Sequence, residues 1–194
     1  RKDENTVQGL KSLGVETPFM QYYLSNVIHN PGPNNCTAPA YGNTVADTAG
    51  DYCSIRDNHP DWFLRDQNNA IIQEWNGEQL IVYMDPANSG WQQFFIQRAM
   101  ERHNQYSEQW EGLFLDNLDA SLARFSKLGV QLKKYPDDAS YRTAFKTFLT
   151  ALRQGYSEKT GHAVLANITE FKTSAAWFEY IDYLDGGMDA ARGF

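Results

Sequence analysis

The sequence has few basic residues, few cysteines and no long apolar run, and each shortage excludes a class of protein. Lys and Arg together number 17 against 24 Asp and Glu, which gives a net charge of −7. So acidic a chain lacks the basic surface that binds nucleic acid or anionic lipid. It contains no stretch of about 18 apolar residues, so we expect no membrane span. No Gly-rich phosphate loop follows a predicted strand, which weakens a nucleotide-binding interpretation.

Cys36 and Cys53 are the only cysteines, and they flank a segment rich in Gly, Asn, Thr and Ala. This segment offers no core in which to bury thiols, so we favour a disulfide over two separate buried cysteines. In the chain-entropy model, closing such a loop stabilises a fold by roughly 3 kcal/mol. No second Cys pair or close His pair accompanies them, which argues against zinc. The disulfide predicts a secreted, periplasmic or cell-surface protein.

What the sequence does contain is an alternation of strand-like and helix-like segments. Apolar segments of strand length occur at 19–28, 80–85, 112–119, 162–169 and 183–188. Helical spacing of apolar residues occurs at 5–14, 89–106, 137–156 and from 173 onward. Between them, a long loop at 29–60 holds the cysteines, and 61–66 with 70–75 predicts a small hairpin. Apolar strands that alternate with helices predict a parallel sheet that is covered on both faces.

The positions of polar residues favour a (β/α)8 TIM barrel over a doubly wound sheet. Carboxylates or amides end one strand after another: Asp85, Asp116 with Asn117, Asn167 with Glu170, and Asp185. In a barrel, the C-terminal ends of the strands converge on one mouth, where active sites lie. We therefore predict an α/β barrel as a single domain over residues 1–194. Because a complete barrel takes about 250 residues, we expect an incomplete one that holds about strands 2–6.

Asp116 is the strongest catalytic candidate. The apolar residues 112–115 carry the chain through the core and deliver this carboxylate at its rim, since burying it unpaired would cost several kcal/mol. Glycoside cleavage uses two carboxyl groups, one as an acid and one as a nucleophile or base. Asp185 and Glu170 are the candidates for the second group. The competing interpretation of Asp116 is a strand-end carboxylate that caps a helix or pairs with an arginine.

Further polar and aromatic side chains are expected around the same mouth. As substrate-binding residues we predict Asn117, Asp119, Asn167, Asp85, Tyr22 and Tyr83. Trp75 and Trp177 are additional rings that can stack on sugar faces, although most aromatic residues pack in cores. Asp119 also has the position of a loop-capping residue, and Asp85 that of a turn former before Pro86.

The order of several segments resembles a known family. HPDWFLRD, YMDPANSGWQQFF, EGLFLDNLD, VLANIT and YLDGGMD follow one another within residues 19–189. This order resembles the hypothetical glycosyl hydrolase-like family 15, whose members are TIM barrels, and is more distantly similar to the endo-α-1,4-polygalactosaminidase group. The resemblance implies that Asp116 ends the fourth barrel strand as the catalytic carboxylate, often the nucleophile of a retaining mechanism. It also implies Asn167 and Asp185 as site residues after the fifth strand and on the sixth.

One departure from the family pattern concerns the segment GGMD, which an acidic residue commonly follows. Here Ala190 and Ala191 follow it. If that acid is the proton donor, Asp185, Asp189 or Glu170 has to serve instead.

Together these observations predict an exported glycoside hydrolase that cleaves O-glycosidic bonds of a polysaccharide or exopolysaccharide without a cofactor. Two alternatives stay open. One is a carbohydrate-binding pseudoenzyme without turnover, and the other is a metal-dependent hydrolase that uses Asp85, Asp116, Asp119 and Asp185. The metal-dependent alternative ranks low, because barrel metal sites usually recruit histidines and no histidine here ends a predicted strand.

Overall fold

The computed structural model describes residues 3–32, 35–37, 42–169 and 174–188. In chain order its elements are α1 (Glu4–Ser12), β1 (Met20–Leu24), β2 (Val27–His29), α2 (Asp51–Asn58), β3 (Gln73–Asn76), β4 (Gln79–Tyr83), α3 (Ser89–Gln105), β5 (Gly112–Leu118), α4 (Ala123–Lys127), α5 (Asp138–Leu152), α6 (Glu158–Thr160), β6 (Ala163–Ile168), α7 (Ala175–Ile181) and β7 (Gly186–Met188). A 3₁₀ turn spans Pro60–Trp62, and a π-helical turn, Arg153–Ser157, joins α5 to α6.

Four strands form a parallel sheet in the order β1-β5-β6-β7. The connection from β1 to β5 includes α3, and the connection from β5 to β6 includes α5. Parallel neighbours require such crossovers, and this strand–helix–strand pattern builds the wall of an α/β barrel. The prediction of an α/β fold with an incomplete barrel is therefore confirmed. Among the described residues the wall is open, with β1 at one edge and β7 at the other.

The two faces of this sheet differ in burial. Tyr23, Leu115 and Ala166 lie side by side on one face and are almost fully buried. Helices cover this face: the Tyr23 ring contacts Phe95 of α3 edge to face at 5.8 Å, and Phe95 contacts Phe148 of α5 at 5.0 Å. Burying each large apolar side chain contributes about 1.5–3 kcal/mol. Because strand side chains alternate, the intervening residues occupy the other, partly open face, which corresponds to the barrel interior.

A second sheet of three antiparallel strands, in the order β2-β4-β3, lies beyond the end of β1. The sequence predicted 80–85 as a parallel barrel strand, and this detail is corrected, since most of that segment is β4. Only Gly77 and Glu78 separate β3 from β4, and so short a connection can join only antiparallel neighbours. The predicted strand at 19–28 is likewise divided, because Ser25 and Asn26 interrupt it between β1 and β2.

The helix boundaries coincide with local capping residues. Helix α3 begins after Asn88, whose side chain accepts hydrogen bonds from the N–H groups of Gly90 and Trp91. Asp137 and Ser140 form a capping box at the start of α5. Gly14 follows α1 with a φ of 82°, the left-handed conformation that glycine adopts most easily after a helix.

Two further predictions concern the segment between β2 and β4. Cys36 and Cys53 form the expected disulfide, with Cα atoms 5.7 Å apart. Cys53 belongs to α2 and is buried, so the bond fastens the loop to that helix. The hairpin is also confirmed, since Arg65 pairs with Ile71 across its turn. Among the described residues, no helix is both long and apolar enough to cross a lipid bilayer.

Candidate active site

A β-bulge shapes the C-terminal end of β5. Leu115 pairs with Ala166 and Leu118 with Ile168, so two residues of β5 stand opposite one residue of β6. The extra residue is accommodated at Asn117, whose φ of 55° lies in the left-handed region that asparagine tolerates better than most residues. Bulges of this kind redirect side chains at strand ends, and this one lies next to Asp116.

Ser25, at the end of β1, stabilises the bulge. Its N–H donates to the carbonyl oxygen of Asp116 at 3.0 Å, and its hydroxyl donates to the carbonyl oxygen of Asn117 at 2.9 Å. Both bonds bridge β1 and β5, and Ser25 is almost completely buried. The backbone of Asp116 and Asn117 is therefore fixed in position by hydrogen bonds from the end of the neighbouring strand β1.

Three donors from three adjacent strands bind the Asp116 carboxylate. Asn167 of β6 donates its side-chain N–H to Oδ1 at 2.7 Å, and the N–H of Asn117 donates to the same oxygen at 2.8 Å. The Tyr22 hydroxyl, from β1, donates to Oδ2. Hydrogen bonds to a charged acceptor are roughly twice as strong as neutral ones. Together they fix the orientation of Asp116 at the carboxyl end of the parallel sheet.

Tyr22 is the most accessible member of this group, with 41% of its surface exposed. Its ring stacks on that of Phe114, with centroids 6.0 Å apart. Burial of the hydroxyl and its hydrogen bond to Asp116 raise the pKa of Tyr22 above its usual value. The hydroxyl therefore keeps its proton at neutral pH and remains a donor. Of the residues predicted from the sequence, the structure brings together Asp116, Asn117, Asn167 and Tyr22.

Asp119 lies at the same end of the sheet but is occupied by internal contacts. Only 4% of its surface is exposed. Thr169 donates to its Oδ1 at 2.7 Å, the Nε of Arg124 lies 3.6 Å from its Oδ2, and the Tyr180 hydroxyl donates to its carbonyl oxygen at 2.9 Å. These contacts join the segments that follow β5 and β6 to α7. The predicted substrate-binding role of Asp119 is therefore corrected: it is a buried residue whose contacts stabilise the segments around the C-terminal end of the sheet.

Tyr83 is not accessible to a substrate either, because it lies in the antiparallel sheet with 1% of its surface exposed. Its hydroxyl donates to the Glu74 carboxylate and accepts from Arg124 at 3.2 Å. Burial is the main reason why the pKa of Tyr83 lies above its usual value. The predicted sugar contact is thus replaced by a structural role.

Asp85 was predicted to bind substrate, with a turn-forming role as the alternative, and the structure supports the turn-forming role. Its Oδ1 accepts from the N–H of Ala87 at 3.0 Å and from the Tyr135 hydroxyl. Lys134 pairs with Oδ2 at 2.7 Å. With 7% of its surface exposed, Asp85 is committed to these partners.

Asp185 lies toward the opposite end of the sheet from Asp116. Its carboxylate accepts from the N–H of Val164 at 2.8 Å, and its own N–H donates to the Val164 carbonyl at 3.0 Å. Val164 is three residues before Asn167 on β6, a separation of about 10 Å along a strand. The prediction that Asp185 faces the mouth is therefore corrected, because β7 begins only at Gly186. Glu170 and Asp189 lie outside the described residues.

The four aspartates of the metal-dependent alternative are consequently not assembled into one cluster. Within the described ranges, no group of three or more His, Cys, Asp or Glu side chains is arranged to hold a metal ion.

Ser25 and Asn26 were not among the residues predicted from the sequence. Asn26 donates its side-chain N–H to the Tyr141 hydroxyl at 3.1 Å and accepts the N–H of Met84 at its carbonyl oxygen. This residue therefore joins the end of β1 to both β4 and α5. A usable signal was present, because a polar pair after an apolar strand is the same pattern that identified Asp116 and Asn117.

Solved structures with a similar fold come from proteins that act on carbohydrates. A cycloisomaltooligosaccharide glucanotransferase from Paenibacillus sp., complexed with cycloisomaltoheptaose, matches with a TM-score of 0.61 and 15% identity over 94% of this chain and 23% of its own. An alpha-galactosidase from Thermus thermophilus, complexed with stachyose, matches with a TM-score of 0.55 and 12% identity over 95% of this chain and 30% of its own. The glycoside hydrolase domain of PelA from Pseudomonas aeruginosa has a TM-score of 0.49 and 19% identity over 84% of this chain and 47% of its own.

At these identities the first two structures establish the fold alone, that of an α/β barrel, and this chain spans less than a third of either one. No curated protein sequence matches the chain. The sequence profile of the hypothetical glycosyl hydrolase family 15 matches residues 22–190, a range that includes Asp116 and its three donors. The family resemblance inferred from the sequence is confirmed, and the chain belongs to the hypothetical glycosyl hydrolase family 15.

Proposed function

We propose that this protein cleaves O-glycosidic bonds of a polysaccharide or exopolysaccharide, with Asp116 as the catalytic nucleophile. The observation that carries the proposal is the anchoring of this carboxylate by Tyr22, Asn117 and Asn167 at the carboxyl end of the sheet. Barrel active sites lie at this end, and reacting groups held in a fixed geometry lower the entropic part of a barrier. Membership of a glycosyl hydrolase family supports the reaction class.

In the proposed mechanism the two oxygens of Asp116 have different roles. Oδ1 is held by Asn117 and Asn167, and Oδ2 attacks the anomeric carbon while the Tyr22 hydroxyl orients it. A glycosyl ester forms as the glycosidic C–O bond breaks, and the departing oxygen takes a proton from a second carboxyl group. Water then cleaves the ester with help from the same second group, so the anomeric configuration is retained.

We assign the second carboxyl group to Glu170, which follows β6 in the sequence, and keep Asp189, which follows β7, as the alternative. β6 is the direct neighbour of β5, the strand that carries Asp116, whereas β7 is one strand further away. The position of Asp185 toward the other end of the sheet argues against this role for it.

The charges around the site favour a neutral or cationic sugar over an acidic one. Among the described residues, two bases near this end are already paired, Arg124 with Glu74 at 2.8 Å and Lys134 with Asp85 at 2.7 Å. In the same described part of the chain, amides and a phenol bind the Asp116 carboxylate. An overall charge of −7 also disfavours the approach of a polyanion. The disulfide supports action outside the cytoplasm.

The proposal is tested by the release of reducing ends from an α-1,4-galactosaminan and from stachyose. Asp116→Asn keeps the size of the side chain and is expected to lower kcat by about 10³-fold or more, as loss of a nucleophile does. Asp182→Asn, at an exposed aspartate after α7, is the matched control and should leave the rate unchanged. An Asp116→Asn variant with the unmodified rate would remove Asp116 from the mechanism.

The identity of the acid is tested separately. Loss of the general acid slows cleavage of a polysaccharide but has little effect on a p-nitrophenyl glycoside, whose leaving group needs no proton. We expect this pattern for Glu170→Gln and unchanged rates for Asp189→Asn and Asp185→Asn. The reverse pattern would transfer the role to Asp189.

A carbohydrate-binding protein without turnover is the second candidate. It is favoured by one observation, that among the described residues the structure brings no other carboxylate of the predicted set to Asp116. Saturable binding of an oligosaccharide by the unmodified chain, without any release of reducing ends, would decide for this candidate.

A further inference from the structure

Trp75 is an aromatic side chain in an unusual position. It lies on β3, an edge strand of the antiparallel sheet, with 70% of its surface exposed. Large aromatic side chains are mostly buried, and an exposed one raises the question of what it contacts. The sequence suggested that its ring can stack on a sugar, and none of the contacts described so far involves its side chain.

Polar amides flank Trp75 on the same face of the sheet. Trp75 pairs with Leu80 of β4, and the N–H of Asn30, just beyond β2, donates to the Leu80 carbonyl at 2.8 Å. Residues opposite one another across antiparallel strands share a face, so these three form one row. Gln73 occupies the same face two residues before Trp75, and the side-chain N–H of Asn30 donates to its Oε1 at 3.4 Å. An indole thus lies beside a pair of amides.

Ion pairs anchor this part of the sheet to the segment that follows Asp116. Glu74, the residue next to Trp75, accepts a hydrogen bond from Arg124 at 2.8 Å. The Nε of Arg124 lies 3.6 Å from Asp119, which directly follows β5. These contacts place β3 next to the segment that follows Asp116, while Trp75, on the opposite face of the strand from Glu74, remains exposed.

We propose that Trp75 and the Asn30–Gln73 amide pair form a carbohydrate-binding platform that holds a sugar unit of the polysaccharide away from the cleavage point. The chemistry of a pyranose ring fits this surface, because its C–H face packs on an indole while its hydroxyl groups exchange hydrogen bonds with amides. An indole has only two side-chain torsions, so little entropy is lost when a ligand orders it. The identification of the ligand as a polysaccharide rests on the proposed function.

A second copy of the chain is a weaker candidate for this surface. A stable protein interface buries about 800 Å² on each partner. Here the apolar surface consists of the exposed Trp75 ring on β3 and the half-buried Leu80 on β4, next to the turn at Gly77. One ring flanked by amides matches the footprint of a sugar unit rather than that of a folded partner.

The experiment measures binding by calorimetry with two probes, stachyose as a neutral oligosaccharide and an α-1,4-galactosamine oligomer as a cationic one. The background is the full chain carrying Asp116→Asn, so that the ligand is not consumed. Trp75→Ala should weaken binding about tenfold, equivalent to about 1.4 kcal/mol, and Trp75→Phe should restore part of the affinity. Phe178→Ala is the matched control, since Phe178 is also exposed (55%) but lies on α7.

The two probes distinguish the kind of sugar that binds. A loss of affinity on Trp75→Ala for either probe supports the platform. Equal affinities of the Trp75→Ala chain and its parent overturn it, as does the absence of binding by the parent chain. A change in oligomeric state on Trp75→Ala, without a change in affinity, also overturns it in favour of a second copy. Because affinity is measured without turnover, the platform is judged separately from the nucleophile, whose own test is the rate of Asp116→Asn on the same sugars.

Discussion

The hydroxyl of Tyr22 provides the sharpest test of how Asp116 is held. Tyr22→Phe removes one oxygen atom and leaves the ring in its stack on Phe114. In the unmodified chain this hydroxyl donates to Oδ2 of Asp116, the oxygen to which we assign the attack. The substitution therefore removes one of three donors and leaves those from Asn117 and Asn167 in place.

The magnitude follows from the burial of Tyr22. A hydrogen bond to a charged group contributes about 1.5–3 kcal/mol. Because 41% of Tyr22 is exposed in the free protein, water can replace the lost donor there. The free energy of unfolding should therefore fall by less than about 1 kcal/mol. A bound sugar excludes that water. The lost hydrogen bond should then raise the activation free energy by about 1.5 kcal/mol, the lower end of this range, and kcat should fall about tenfold.

The assay compares kcat and KM for release of reducing ends by the unmodified chain, Tyr22→Phe and Tyr183→Phe. Tyr183 lies just before β7, toward the end of the sheet opposite Asp116, so its variant controls for the loss of a phenol elsewhere. We expect a decrease in kcat with little change in KM for Tyr22→Phe alone. A kcat within about twofold of the unmodified value, with the fold intact by circular dichroism, would refute the assigned role of this hydroxyl.

Two further predictions concern the bulge and the pH dependence of folding. Ser25→Ala removes the hydroxyl that donates to the Asn117 carbonyl. It should lower the free energy of unfolding, measured in urea, by about 1 kcal/mol, and it should also lower kcat. A loss of stability with full activity would show that the bulge does not contribute to catalysis. Burial, together with the nearby ring of His162, lowers the pKa of His103 below its ordinary 6.5. The folded chain therefore binds fewer protons than the unfolded chain, so stability should be complete above about pH 6.5 and decline as the pH falls through the lowered pKa. His103→Gln should flatten this decline in urea titrations at successive pH values, and an unchanged slope would contradict the explanation.

Features decided by neighbouring residues in the sequence could be predicted. Helix ends at Gly14, Asn88 and Asp137 are set by hydrogen bonds that span at most five residues, and the corresponding residue types are visible in the sequence. The identification of Asp116 has the same origin, since a carboxylate directly after an apolar strand is a local pattern. The disulfide also could be predicted, because the chain offers one possible pair of cysteines.

Features decided by pairing between distant strands could not be predicted. An apolar strand buried on both faces has the same composition in a parallel and an antiparallel sheet, so nothing within 80–85 revealed its direction. Asp185 was placed at the mouth because the start of β7 was put too early, and that start depends on pairing with β6. Tyr22 was expected to contact sugar, yet its bond to Asp116 depends on the register between β1 and β5.

The bulge at Asn117 reconciles two demands on β5 that a regular strand could not meet. In a regular strand, Asp116 and Leu118 would point to the same face. Leu118 instead pairs with Ile168 and is completely buried on the helix-covered face, while Asp116 reaches its donors on the open face. One extra residue changes the alternation between them, so the core keeps an apolar side chain and the site gains a carboxylate. The left-handed backbone of Asn117 costs on the order of 1 kcal/mol, and the two hydrogen bonds from Ser25 offset a cost of that size.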